Sequence, residues 1–503
     1  MSTRESDSLD ALLAEGHGRE GVRTLVSAAL WGEIGEALHA GRLTLVSLWG
    51  EPGAAHMAVR PARGGPHALV TLACPEGRFP SVGRVHAPAI RLERTMADLF
   101  GLLADDAVDA RPWLDHGRWG LTAPLGAATP APATGAPYAF LPVEGEGLHR
   151  IPVGPVHAGI IEPGHFRFTA FGETVVRLEA RLGYVHKGLD GLMAGADPRH
   201  AARLAGRLSG DSTVAASLAF CRAAEAAAGA MVPERAVWLR GVMAELERLA
   251  NHFGDVGAIC NDAAFPLMLA HCAVLREKVL RAADAAFGHR LMMDRIIPGG
   301  LARDLAPEGT AAIRALVETA RRDFPPLVAL YDATASLQDR TVGTGIVSAE
   351  LARRFGAGGH VGRASGRDFD ARRDAAYPPY DRLAVAVPVR QEGDVNARVW
   401  IRIREIEASL DLVSAMLDAL PEGPVHAPLP AVAGEGTALV EAFRGDLFAF
   451  VRLGADGRVA RAHLRDASWF QWPLLEAAIE GNIVADFPLC NKSFNCSYSG
   501  ADL

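Results

Sequence analysis

The sequence is poor in cysteine and has no long apolar run. Six cysteines in 503 residues are too few for a disulfide framework, so we expect a reducing compartment. No apolar run approaches the ~20 residues needed to span a bilayer. The N-terminal stretch MSTRESDSLDALLAEGHG is polar and acidic, so we expect no signal peptide. Any attachment to a membrane is therefore expected to come through other proteins.

Basic tracts and nucleotide-binding glycine motifs are also missing. Lys and Arg total 51 against 59 Asp and Glu, a net charge of -8, which argues against a nucleic-acid partner. The composition, 49% hydrophobic and 22% charged, is that of an ordinary globular protein. Gly343-Thr344-Gly345 is too short a motif for a dinucleotide site, because no G-x-G-x-x-G joins a predicted strand to a predicted helix. We therefore expect no NAD site on this chain.

Residues 1–123 predict a small α+β domain. Apolar spacing predicts a helix within residues 20–40 and another over 88–102. On the second helix, Glu93, Arg94 and Asp98 are expected on a solvated face, where Arg94 and Asp98 could pair. Short β-rich runs separated by Gly and Pro predict an antiparallel sheet with strands at 43–50, 55–61 and 67–74.

A linker and a larger second domain are expected to follow. Residues 124–137 are rich in Pro, Ala, Gly and Thr and cannot bury enough apolar surface to fold. We place the linker at 124–146 and the second domain at 147–503. The fold class predicted for the whole chain is α+β, with a helical bundle in the second domain and small sheets near both ends of that domain.

The segment from His149 to Gly188 concentrates histidines and turn signals. Gly154-Pro155 and Pro163-Gly164 frame a short run and predict a hairpin or tight loop. His157, Glu162 and His165 are expected at its tip. Imidazoles and a carboxylate gathered on one turn suit proton transfer near neutral pH, because the unperturbed pKa of histidine is about 6.5. The alternative is that these side chains only cap and staple the loop.

The remaining pattern is mostly helical. Glu173–Met193 and 203–229 are expected to be helices, and the turn Ser209–Ser212 carries a helix-cap signal. Further helices bring the bundle to four to six. The arginines and aspartates of 341–374 predict an ion-pair network or a subunit rim. Three strands are expected over 438–466, followed by a short helix near residues 474–479.

Several blocks of sequence resemble one family. They are, in order, GPVHAGIIEPGHF, GETVVRLEARLGYVHKGL, IIPGGLARD, RTVGTGIVSAE, RASGRDFDARRD and VEAFRGDLFAFV. The family unites the 49-kDa subunit of complex I with the large subunit of energy-converting [NiFe] hydrogenases. The resemblance covers roughly residues 147–503. The N-terminal domain, with LERTMADLFG, is similar to the complex I 30-kDa subunit, and the fusion resembles the formate-hydrogenlyase type.

The sequence departs from the hydrogenases at their metal ligands. The resemblance places two C-x-x-C pairs around the nickel–iron centre, but this chain has Ser209 and Ser212 after Arg207, and Ser493 before Cys496. Serine does not replace a soft thiolate ligand, so we expect no nickel–iron centre and no metal on this chain. The resemblance instead makes Arg207, Ser209 and Ser212 candidate cofactor-binding residues. Cys490, six residues before Cys496, does not restore the spacing.

The complex I side of the family implies the remaining expectations. His157 resembles the residue beside a quinone headgroup, and Glu162 resembles the proton-shuttling carboxylate of the hydrogenases. The tyrosine expected shortly after His186 is missing. The resemblance implies a 4Fe-4S cluster in a small partner subunit, ion-translocating membrane partners and a place on the cytoplasmic side of the membrane. Three readings stay open: an electron-transfer subunit that acts on quinone or another acceptor, a silent coupling scaffold, and a hydrogenase.

Overall fold

The N-terminal region forms a five-stranded sheet covered by helices. A computed structural model describes residues 9–133, 137–157 and 161–503. The strand order is β1-β2-β5-β4-β3, with β2 and β5 parallel and the other pairs antiparallel. The elements are α1 Leu9–Ala14, β1 Gly18–Glu20, β2 Arg23–Val26, α2 Ala28–His39, β3 Leu43–Glu51, β4 Ala54–Pro61, β5 Ala68–Ala73, β6 Arg78–Pro80, α3 Ile90–Phe100, β7 Leu103–Asp105, β8 Leu121–Thr122 and β9 Thr129–Pro130.

The three predicted strands are confirmed, but the first helix is shorter than expected. Helix α2 begins only at Ala28, because Ser27 caps it by accepting a hydrogen bond from the Leu30 N–H at 3.2 Å. The residues before that cap extend into β2 and pair with β5. The predicted antiparallel sheet is confirmed for β3, β4 and β5, and the unpredicted strand β2 adds a parallel pair with β5.

The polar face of α3 is buried, which corrects the expectation of a solvated face. The Glu93 carboxylate accepts the N–H groups of Val82 and Gly83 at 2.6 and 2.9 Å. Arg94 pairs with Asp109 at 3.0 Å instead of with Asp98. Helical spacing alone could not reveal that this face packs against a following loop.

The N-terminal sheet also packs against the end of the chain. Trp49 on β3 stacks on His463 with a ring separation of 4.7 Å, and Ser47 hydrogen-bonds to the same imidazole at 2.8 Å. Between these regions, residues 124–133 and 137–146 contain no helix and only the short strand β9. The linker boundary stays a prediction.

A three-stranded antiparallel sheet opens the second domain and replaces a predicted helix. Its strands are β10 Leu148–Val153, β11 His165–Phe171 and β12 Thr174–Arg181. The helix expected over Glu173–Met193 is wrong, because β12 pairs along its length with β11 through a tight turn at Gly172. Only the last part is helical, as α4 Leu189–Met193.

The helical bundle follows. Its most buried long helix is Glu234–Asp262, which packs against the helices Pro266–Phe287 and Val395–Asp418. Its elements are α5 Pro198–Ala205, α6 Thr213–Ala228, α7 Glu234–Asp262, α8 Pro266–Phe287, β13 Ile296–Ile297, β14 Gly300–Leu301, α9 Pro307–Ala333, α10 Ala335–Thr341, α11 Ala349–Arg354, α12 Gly359–Ala364, α13 Ala371–Asp374 and α14 Val395–Asp418. The helix predicted over 203–229 is interrupted by a 3-10 turn at Gly210–Ser212. This interruption brings Ser209 to the edge of the bundle.

The arginine-rich region forms an ion-pair network inside the bundle, as one of the two alternatives predicted. Arg372 pairs with Asp370 at 2.7 Å and with Glu245 of α7 at 3.0 Å. Arg363 binds Glu405 of α14 and Glu441, each at 2.9 Å. These side chains are fully buried or nearly so, and each charge has a partner, as burial of charge requires.

The chain ends in an antiparallel sheet and three helices. The predicted strands are confirmed as β15 Gly434–Ala442, β16 Gly445–Leu453 and β17 Val459–Arg465, and the helices are α15 Ser468–Ile479, α16 Phe487–Phe494 and α17 Tyr498–Asp502. Helix α15 packs against β12, and α16 against α7. The Ser499 N–H donates to Glu162 at 3.1 Å, so α17 lies beside the loop that carries His157. The predicted α+β class is confirmed.

Candidate functional site

A cleft of about 550 Å³ lies where three distant parts of the chain meet. The loop after β10 forms one wall, the 3-10 turn before α6 a second, and the segment from α16 to α17 a third. Its lining is made up of Val153, His157, Ile161, Glu162, Phe166, Ser209, Gly210, Asp211, Asp262, Arg444, Phe487, Pro488, Asn491, Lys492, Asn495, Cys496, Ser497 and Tyr498. The cleft combines aromatic walls with a charged floor.

The loop wall holds two of the three predicted catalytic residues. His157 Nε2 lies 2.8 Å from the Gly164 carbonyl, so this nitrogen carries a proton and donates to the carbonyl. Glu162 Oε2 accepts the Ser499 N–H at 3.1 Å and so connects the loop to α17. Gly154 is left-handed, with φ 80°, and a Cβ there would collide with the Gly164 carbonyl oxygen. Residues 158–160, which complete the loop, lie outside the described residues.

His165 does not line the cleft. Its Nδ1 lies 3.2 Å from the Gly154 carbonyl, and Arg167 Nε donates to its Nε2 at 3.4 Å. Burial lowers the pKa of His165, and the Arg167 charge acts in the same direction. The structure therefore places His165 at the base of the loop, where it supports the backbone that carries His157.

In the wall formed by the 3-10 turn, Ser209 lines the cleft but Arg207 does not. Ser209 Oγ donates to Asp211 Oδ1 at 2.8 Å and accepts from Ser497 Oγ at 2.8 Å. Arg207 instead pairs with Asp294 at 2.6 Å, and neither residue lines the cleft. Of the three residues proposed to bind a cofactor, only Ser209 faces the cleft.

An Arg–Asp pair fixes the floor of the cleft. Arg444 Nη1 donates to Asp211 Oδ1 at 2.7 Å and to Ser212 Oγ at 3.0 Å. Arg444 Nε donates to the Asn495 carbonyl, one residue before Cys496. Burial would raise the pKa of Asp211, but the Arg444 guanidinium outweighs it and holds that pKa at about 2. Asp211 is therefore an anion at every physiological pH.

The thiols of the C-terminal wall do not form a ligand set for nickel. Cys496 lines the cleft, and burial raises the pKa of its thiol. Cys490 is fully buried outside the cleft, and burial raises its pKa to about 11. Ser493 donates to the Cys490 carbonyl at 2.6 Å and accepts from Arg398 Nε at 2.9 Å. Within 9–133, 137–157 and 161–503, no group of three His, Cys, Asp or Glu side chains is placed to hold a metal.

Sequence reasoning missed Tyr498 and Arg444. Tyr498 stacks edge-on against Trp472, with a centroid separation of 4.8 Å, and lines the cleft with its ring. Burial raises the pKa of its phenol, so the hydroxyl remains a proton donor. Arg444 lies 232 positions from its partner Ser212, and Tyr498 lies further along the chain, so no local spacing could connect them to the turn.

Comparison with known proteins identifies the family. Residues 263–433 match the family model described as respiratory-chain NADH dehydrogenase, 49 Kd subunit. The chain is 32% identical to formate hydrogenlyase subunit 5 of Escherichia coli, over 84% of this chain and 77% of that protein. It is 31% identical to a subunit of the NADH-quinone oxidoreductase of Dehalococcoides mccartyi, over 66% of this chain and 92% of that one.

A solved structure supports the same family assignment. A chain of the membrane-bound sulfane sulfur reductase, an archaeal respiratory membrane complex, superposes with a TM-score of 0.67 at 25% identity, over 72% of this chain and 100% of that chain. These matches define a large subunit of the complex I type. The chain belongs to the family of complex I 49-kDa subunits and energy-converting hydrogenase large subunits. It is a subunit of a complex I-like oxidoreductase assembly.

The described helices include none that could cross a membrane, since none combines the length and the apolar character that a span requires.

Proposed function

We propose that this chain reduces a quinone headgroup in the cleft between His157, Ser209 and Cys496. Electrons come from a 4Fe-4S cluster in a small iron–sulfur partner subunit, and membrane partners of the complex I type use the reaction to move protons or another ion. The assembly lies on the cytoplasmic side of the membrane. One observation carries the proposal: His157 and Glu162 line the same cleft as the rings of Phe166 and Tyr498 and the Arg444–Asp211 pair.

The residues of the cleft suit the chemistry of quinone reduction. A quinone becomes a quinol by taking up two electrons and two protons, one proton on each carbonyl oxygen. His157 is the donor to one carbonyl through Nδ1, because its Nε2 donates to the Gly164 carbonyl. The Tyr498 hydroxyl, kept protonated by burial, can donate a hydrogen bond to the other. Tyr498 thus takes the place of the tyrosine missing after His186.

Glu162 is placed to resupply protons. Its carboxylate accepts the Ser499 N–H and so lies beside α17. Nearby, Asp502 Oδ1 and Oδ2 accept the N–H groups of Gly183 and Val185 at 2.8 and 3.0 Å, and burial raises the pKa of Asp502 to about 6. A carboxyl with such a pKa exchanges protons readily at physiological pH.

The residues present do not fit a nickel–iron centre. Three of the positions that supply thiolates in the hydrogenases are serines, whose hydroxyls are neither soft nor readily ionised. Ser212 and Ser493 are in addition held by Arg444 and Arg398. The absence of nickel remains a prediction that metal analysis of the purified complex tests, and no step of the proposed reaction passes through such a centre.

A second acceptor class is sulfane sulfur, suggested by the sulfane sulfur reductase structure and by the thiol of Cys496 in the cleft. Attack on a sulfur chain requires a thiolate. Because burial raises the pKa of the Cys496 thiol, the neutral thiol is a poor nucleophile. The aromatic wall and the proton donors favour the quinone.

Turnover of the intact complex tests the proposal. We expect His157→Ala and Glu162→Gln each to assemble normally and to lower quinone reduction at least about a hundredfold, the low end for loss of a general acid. The matched control is His149→Ala, an exposed histidine on β10 outside the cleft. Wild-type turnover in both cleft variants would exclude proton delivery by this loop.

A further inference from the structure

Another cavity, of about 330 Å³, lies between the N-terminal sheet and the bundle, away from the cleft. None of the described residues lines both spaces. The side chains that decide its chemistry come from five places: His67 in the loop between β4 and β5, Arg222 of α6, Asp374 of α13, Tyr377, and Thr437 of β15. A ligand in this cavity would contact the N-terminal domain and the second domain at once.

Arg222 has no carboxylate partner within the described part of the chain. Its guanidinium lies over the Tyr377 ring, 4.6 Å from the ring centroid. The Arg222 Nε is enclosed, whereas the two terminal nitrogens make no hydrogen bond to a described residue and are open to the cavity. By contrast, Arg240 of the same bundle pairs with Glu225 at 2.6 Å. Because burying an unpaired charge costs free energy, an anion bound in the cavity would stabilise Arg222.

A histidine and a threonine supply a further donor. His67 Nε2 lies 2.9 Å from Thr437 Oγ1. Burial and the nearby Arg60 charge lower the pKa of His67 to about 4, so its ring is neutral at physiological pH. The pair then has one hydrogen on the ring and one on the hydroxyl, and their mutual hydrogen bond uses only one of them. Whichever tautomer forms, an N–H of His67 or the O–H of Thr437 remains to donate to a ligand.

The carboxylate in the lining does not compensate Arg222. Asp374 is the one acidic residue among the described residues of the lining. It accepts from Arg373 Nε at 2.8 Å and from Arg373 Nη2 at 2.9 Å, and it also accepts the Asp370 N–H at 2.8 Å. This bidentate pair balances the charge of Asp374 within α13. The positive charge of Arg222 is therefore left for a ligand.

We propose that this cavity binds a small oxyanion, a carboxylate or a phosphate group, between the two domains. The terminal nitrogens of Arg222 lie in the guanidinium plane and suit two parallel N–H···O bonds to such a group. The remaining hydrogen of the His67–Thr437 pair donates to the same anion from the other side. The bound anion thus holds the loop between β4 and β5 against α6 and β15, and the site is independent of the reaction in the cleft.

Equilibrium dialysis of the intact complex tests the site, once with radiolabelled phosphate and once with radiolabelled acetate, in a chloride buffer without other oxyanions. We expect saturable binding of at least one anion to the wild type, and the anion that binds identifies the ligand group. In Arg222→Met the dissociation constant should rise at least about tenfold, as for loss of hydrogen bonds to a charged group. The control, Arg314→Met, removes an exposed arginine that pairs with Asp418 and should leave binding within about twofold.

A second pair of variants decides the question even if Arg222→Met does not fold. Ala376→Glu, at an exposed position of the lining, brings a carboxylate of the protein itself to the cavity. This charge competes for Arg222 and repels a bound anion, so we expect saturable binding to be lost. Ala376→Gln has nearly the same size without the charge and should still bind. Wild-type protein that binds neither anion, or binding that persists in Ala376→Glu as in Ala376→Gln, would overturn the proposal.

Discussion

Replacing Asp211 by Asn should lower quinone turnover while the chain still folds. Asp211 is the partner of Arg444, which in turn donates to the backbone beside Cys496. The amide keeps the size of the side chain but removes its charge. It also offers only one acceptor oxygen to a guanidinium that now uses two. The C-terminal wall should then lose its fixed position relative to the Ser209 turn.

The size of the effect follows from burial of the pair. Removing one partner of a fully buried ion pair costs about 3–5 kcal/mol, whereas an exposed pair contributes about 0–1 kcal/mol. The Arg444 side chain is 3% exposed and that of Asp211 36%. We therefore expect Asp211→Asn to destabilise the chain by about 2 kcal/mol, between these limits.

The assay measures thermal unfolding and quinone turnover of the purified complex. We expect turnover to fall about tenfold, as for loss of a positioned group at an active site. The control, Asp294→Asn, breaks the Arg207 pair outside the cleft and should leave turnover within twofold. Because the pKa of Asp211 is held at about 2, its stabilising effect is complete above the unfolded pKa of about 3.9 and is lost only as pH falls through 2. The difference between wild type and variant should thus be constant from pH 5 to 8. Equal turnover losses in both variants would refute this reasoning.

Three further outcomes are expected. Arg363→Met should destabilise the chain by about 3–5 kcal/mol in chemical denaturation, because it leaves buried Glu441 without its ion-pair partner and removes one of the two arginines that pair with Glu405; a loss below about 1 kcal/mol would contradict this. Burial raises the pKa of Asp502 to about 6, so its stabilising contribution is complete below about pH 3.9 and is lost as pH rises through 6. Asp502→Asn should reduce the change in the free energy of unfolding as pH rises through 6. An unchanged slope in this variant would contradict the raised pKa of Asp502. Limited proteolysis should cut first within 124–146, and first cleavage within 150–190 would show that the domain boundary is misplaced.

Much of the fold follows from local pattern. The strands β3 to β5 and β15 to β17 combine β-rich runs with Gly and Asp turns, and the structure has them close to the expected bounds. The helix predicted over Glu173–Met193 was wrong because Val175, Leu178 and Leu182 also fit a helical spacing. This segment forms a strand because it pairs with β11, and that pairing cannot be read from local spacing.

The site was predictable only in part. Turn signals located His157 and Glu162, and the family resemblance located Ser209 and Cys496, all of which line the cleft. Arg207 was misplaced because its partner, Asp294, lies 87 residues further along the chain. Arg444 and Tyr498 enter the cleft through the packing of β15, β16 and α17 on the bundle, which no spacing in the sequence encodes.

The most direct test of quinone reduction in the cleft needs no knowledge of the natural electron donor. The iron–sulfur clusters that we propose for the partner subunit are reduced chemically in the purified complex, the excess reductant is removed, and the clusters' absorbance is followed after a benzoquinone is added. We predict that the quinone reoxidises the clusters rapidly in the wild type and at least about a hundredfold more slowly in His157→Ala. Clusters that stay reduced in the presence of quinone, or that reoxidise equally fast in both proteins, would contradict quinone reduction beside His157.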